Sequence, residues 1–85
     1  MDEAEMIAKI KAFLMESFPG SGAEPTPDTD LLTGWFVDSF RIVETILFLE
    51  TTFNIQLNRA DIQGENFQTL TTLARFVADR LPASR

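Results

Sequence analysis

The chain has 85 residues, 45% of them hydrophobic, a formal net charge of −6, and no cysteine, histidine or tyrosine. That length sets one small core, and hence one domain spanning residues 1–85. Without thiol or imidazole there is no disulfide, no thiolate zinc site and none of the usual nucleophile–base pairs, so neither a catalytic nor a metal site is expected. The charge is uneven: residues 1–53 hold ten acids against Lys9, Lys11 and Arg41, whereas 54–85 hold three acids against four arginines. Such a balance speaks against nucleic acid, which needs clustered cations to displace counterions, and is equally that of a solubilising surface or of one that meets basic proteins. The acidic start Met1-Asp2-Glu3-Ala4-Glu5 lacks the pattern of a secretory signal, and no apolar stretch approaches membrane-spanning length. The expectation is a cytoplasmic, monomeric protein without membrane insertion.

The first segment, Asp2 to about Phe18, repeats Met6, Ile7, Ile10, Phe13, Leu14 and Phe18 at helical spacing, with Asp2 as N-cap. Pro19-Gly20-Ser21-Gly22 ends it, and the breakers through Pro25, Pro27 and Asp30 predict a long loop. Leu31, Leu32, Trp35 and Phe36 give that loop apolar anchors, with Trp35 read as holding it to the core. A second helix is predicted from Ser39 to about Phe53, capped by Asp38. Steps of about 100° put Ile42, Val43, Ile46, Leu49 and Phe53 on its core face and leave Phe40, Leu47 and Phe48 on the other, among Arg41, Glu44, Thr51 and Thr52. Large apolar groups on an outer face are either a docking surface or covered by the loop or another helix.

Asn58, with Asp61 three residues on and Leu57 and Ile62 placed as a hydrophobic staple, signals a short third helix stopped by Gly64. A last helix begins near Gln68 or Thr69, carries Leu70, Leu73, Ala74, Val77 and Leu81 on one stripe, and ends before Pro82. Strand signals, repeats and low-complexity tracts are absent. The fold class is all-α: a small four-helix bundle of three main helices and one short one, with a long first loop.

The Asp38-Ser39-Phe40 triplet presents a serine hydroxyl at a helix start, where aligned peptide dipoles and unpaired N–H groups favour an anionic group. A modified serine, not a catalytic one, is the reading this supports. The triplet is preceded by Asp30-Leu31-Leu32 and Gly34, and followed by Leu49-Glu50, Phe53 and Ile55. With the helix order, which covers nearly the whole chain, it resembles the acyl carrier and peptidyl carrier proteins.

The resemblance implies an all-α, acyl-carrier-like bundle and a non-catalytic protein. Ser39 would accept 4′-phosphopantetheine from coenzyme A, with a phosphopantetheinyl transferase and a divalent metal performing the reaction. Asp38 would cap the helix and face the transferase. A thiol on a flexible arm would then carry an intermediate as a thioester between a loading ligase or acyltransferase and a downstream synthase or transferase. The chain departs from the fatty-acid-synthesis carriers, whose second helix is studded with acids: here Arg41 follows the serine and only Glu44 and Glu50 come after it. It looks closer to freestanding carriers of acyl or aminoacyl units, either those of polyketide and peptide natural-product pathways, which we prefer, or the D-alanyl carriers of teichoic acid modification, with a fatty-acid-synthesis carrier kept as a further alternative. The eight phenylalanines are read chiefly as packing and favour a small cargo. Phe40, Arg41, Glu44, Leu47 and Phe48 are expected at the partner surface. An unmodified acidic helical module that grips a partner helix is the alternative of another class.

Overall fold

Asp2 and Glu5 start the first helix as a reciprocal pair, in which the Glu5 N–H donates to Asp2 Oδ1 at 2.8 Å and the Asp2 N–H donates to Glu5 Oε1 at 3.3 Å. The computed structural model describes residues 2–81. Helix α1 runs Glu3–Ser17, α2 Ser39–Phe53 and α3 Leu70–Arg80, with two 3₁₀ turns, Arg59–Asp61 and Gly64–Phe67, before α3. There is no strand among the described residues, and no helix is long and apolar enough to cross a membrane. Thr69 caps α3 by accepting from the Thr72 N–H, and Leu81 is extended, as a residue preceding proline should be. Pro82 itself lies outside the described residues.

Met6, Ile10 and Leu14 of α1 pack with Leu70, Leu73, Ala74 and Val77 of α3 in the core, and these two helices form the closest pair. Helix α2 lies farther out, joined to α1 by the Phe13 and Phe48 rings, stacked at 4.2 Å between centroids. The long loop is tied down by its backbone. The Leu31 N–H donates to the Gln68 carbonyl at 2.7 Å, and the Thr71 N–H donates to the Pro27 carbonyl at 3.2 Å, which gives a first-turn N–H of α3 a partner. Leu31, Trp35 and Phe36 are buried as anchors. Leu32, expected among them, lies at the surface, because Trp35 and Phe36 both donate to the Leu31 carbonyl in a tight turn that sends its neighbour outward.

The core face of α2 is turned from the expected one. Thr45, Leu49 and Phe53 form its buried line, Ile42 and Ile46 are half-buried, and Val43 is 51% exposed. Thr45 tolerates full burial because its hydroxyl donates to the Arg41 carbonyl at 2.8 Å, leaving no unmet polar atom.

The short third helix is only a 3₁₀ turn. Its Asn58–Asp61 capping box forms as expected, but the Asp61 carbonyl, which a continuing α-helix would offer to Glu65, accepts instead from the Gln63 N–H and from Asn66 Nδ2. Gly64 therefore opens the second 3₁₀ turn where it was expected to end a helix. Ile62 is an exposed C-cap and not half of a staple.

Asp61 is nearly buried and accepts from Arg80, with Nε at 3.2 Å, and from the Asn58 N–H at 3.0 Å. The Arg80 bond first, then the Asn58 N–H, hold the carboxyl below its ordinary value against the effect of burial. A depressed carboxyl contributes stability that is present above its unfolded value, about 4, and is lost as pH falls through the folded one. The urea midpoint should accordingly decline in acid below about pH 4, and the difference between the parent and Asp61→Asn should shrink over that range. A constant difference across the pH series would mean that Asp61 does not contribute to the acid limb.

Candidate functional site

The start of α2 is set by Asp38, whose extended backbone (φ −152, ψ 169) turns its carboxylate onto the chain ahead, so that the Arg41 N–H donates to Oδ1 at 2.9 Å. Ser39 is the first residue of the helix and is exposed. Among the described residues nothing hydrogen-bonds its hydroxyl. The N–H groups of Ser39 and Phe40 belong to the unpaired first turn and point out of the helix end. No acid sits in that first turn. A phosphodiester on the Ser39 oxygen would thus meet a positive helix end, with the Asp38 carboxylate already engaged by a backbone donor.

From this point α2 presents an apolar stripe to solvent: Phe40 is 67% exposed and Leu47 57%, with Val43 between them at helical spacing. Val37, just before the cap, is exposed as well. Glu44 is half-buried beside the stripe. Two residues expected on this outer surface are placed otherwise. Phe48 is half-buried, stacked on Phe13 and edge-on to Phe53 at 6.2 Å, and with Phe13 it lines a surface cleft of about 380 Å³ together with Lys9, Ala12, Glu16 and Thr52. Arg41 is also half-buried and turns back toward the loop, where Nη1 donates to Ser21 Oγ at 2.8 Å and to the Trp35 carbonyl at 3.2 Å, and its guanidinium lies 4.9 Å from the Phe18 ring centroid. The Ser21 hydroxyl in turn donates to the Phe18 carbonyl at 2.8 Å. Glu50 is half-buried too, accepting from the Leu57 N–H at 2.9 Å and so fixing the chain that leaves α2.

Sequence reasoning did not single out Val43, Ser21 or Phe18 for this end of the molecule. Val43 carries the same apolar signal as the buried positions of α2. Ser21 stands in a glycine-flanked stretch whose only local message is a turn.

No family model matches the chain. A solved structure does: the crystal structure of Bradyrhizobium japonicum glycine:carrier protein ligase complexed with glycylated carrier protein contains a chain similar to this one, with a TM-score of 0.66 and 27% identity. The match covers 87% of this chain and 96% of that chain. A partner chain covered almost whole by an 85-residue protein has the size of the carrier and not of the ligase. The present chain thus has a carrier-protein-like fold.

Proposed function

We propose that this protein is a freestanding carrier that holds an acyl or aminoacyl unit on a 4′-phosphopantetheine arm attached to Ser39. The observation that carries the reading is the exposed Ser39 hydroxyl at the capped start of α2, in a fold similar to that of a glycylated carrier protein. Ser39 would bond through Oγ to the phosphorus of the arm, with the adenosine bisphosphate part of coenzyme A leaving and the serine proton passing to the transferase. Asp38 keeps the helix end fixed during this step and stands where a transferase must approach. Once attached, the arm supplies the thiol that this cysteine-free chain lacks, and the cargo is held as a thioester.

The likeness to a glycylated carrier favours an aminoacyl cargo loaded by a ligase, and an abundance of rings in the core favours a small one. Discrete natural-product pathways are the setting we prefer, with D-alanyl transfer as the second. The test is intact mass after incubation with coenzyme A and a broad-specificity phosphopantetheinyl transferase. The expected result is one added phosphopantetheine, mapped to Ser39 by fragmentation. An unchanged mass would reject the carrier reading and leave an unmodified interaction module.

Partners would meet Phe40, Glu44 and Leu47, joined by Val43 and flanked by Arg41 and Phe48. Every enzyme that receives the arm approaches Ser39 across this stripe, and exposed apolar groups in line with a reactive residue mark a contact surface. Truncating one such anchor typically costs about 1–2 kcal/mol of binding, so Phe40→Ala and Leu47→Ser should each raise the KM of loading roughly tenfold. Their circular dichroism should match the parent's. A KM unchanged in both variants would place the contact elsewhere.

A further inference from the structure

Arg41 joins three segments that lie apart in sequence. Its guanidinium lies against the ring of Phe18, the C-cap of α1, and donates to Ser21 in the glycine-rich turn and to the carbonyl of Trp35 before the α2 cap. Ser21 completes the junction by accepting from Arg41 while donating to Phe18. The residue stands two positions after Ser39, in the first turn of α2, so whatever fixes Arg41 also fixes the direction in which that turn projects.

We infer that Arg41 is a positioning residue, a clamp that holds the start of α2 against the 18–35 loop and so presents Ser39 to the transferase. The inference rests on the proposed modification of Ser39. A planar guanidinium can lie on a ring and still aim donors at two oxygens in different segments, whereas an ammonium on a flexible stem cannot do all three at once. Charge-assisted bonds of this kind are among the stronger ones, and their loss frees the segments they join.

The test uses the single tryptophan as an internal reporter, because Trp35 is buried and its own carbonyl is one of the clamp's acceptors. In Arg41→Met, which keeps the apolar stem, acrylamide should quench Trp35 more strongly than in the parent while far-UV circular dichroism stays the same. The KM for the carrier in phosphopantetheinyl transfer should rise roughly tenfold, the size of one charge-assisted hydrogen bond, with kcat held. Arg41→Lys should recover part of both changes. If Arg41→Met does not fold, Ser21→Ala removes one leg of the clamp and should give the same pair of changes at smaller size. Parent-like quenching and KM in the variants that fold would overturn the inference. A parent that is not modified at all would instead reject the carrier reading, and the quenching data would still decide whether the clamp exists.

Discussion

Ser39→Ala should abolish phosphopantetheinylation while leaving helix content and melting nearly at parent values. The helix does not need the hydroxyl, since Asp38 supplies the cap and alanine is a good helix former. The other described serines offer no substitute. Ser17 ends α1, where the helix dipole presents its negative end to a phosphate, and the Ser21 hydroxyl is held between Phe18 and Arg41. The measurement is intact mass after exhaustive incubation with coenzyme A and transferase. An alanine variant that still gains the arm would move the site away from Ser39.

The largest expected loss of stability follows Phe67→Ala. Phe67 is 1% exposed, the ring of Phe36 meets it edge-on at 5.8 Å from the loop side, and Phe76 of α3 approaches at 6.2 Å. Removing the ring loses its transfer free energy and leaves a cavity walled by two other rings that cannot both move in, a cost of about 3–5 kcal/mol. A domain of this size has roughly 5–15 kcal/mol in total, so the urea midpoint should fall steeply at an unchanged slope. Phe40→Ala, by contrast, deletes the same ring from the exposed stripe and should change stability by no more than about 0.5 kcal/mol. A Phe67→Ala loss below about 1 kcal/mol would mean that the loop and α3 are not packed through this ring.

What the sequence made legible is what local chemistry decides. Asp2, Asp38 and Asn58 each cap by reaching a backbone N–H three residues ahead, and a contact of that span can be read from residue types alone; Thr69 caps α3 in the same way, although only a helix start near it was expected. Ser39 as the first residue of α2 follows from the same rule. The rotation of α2 was not legible, because apolar residues occupy nearly every side of it from Phe40 to Leu49, and only the placement of α1 and the loop decides which are covered. Thr45 shows the difficulty from the other side: a polar residue that is buried because its one donor is already spent on the helix backbone. Arg41 reaching Ser21 and Asp61 reaching Arg80 join residues 20 and 19 apart, distances at which neither spacing nor propensity carries a signal.

The pairing of α1 with α3 bears on how the molecule is made. A growing chain that has emerged only as far as α2 holds two amphipathic helices, the first without the neighbour it packs on most closely. Its loop also lacks the Gln68 and Thr71 groups that tie it down. The bundle cannot close until residues near Arg80 are free, because its contacts include that of Thr71 with Pro27 at a separation of 44. On the proposed modification of Ser39, a transferase that recognises a fixed helix end rather than a loose serine would encounter only finished copies. If Ser39 is modified as proposed, chains cut short before α3 should go unlabelled, and the order of the helices would act as an inspection step ahead of the use of coenzyme A.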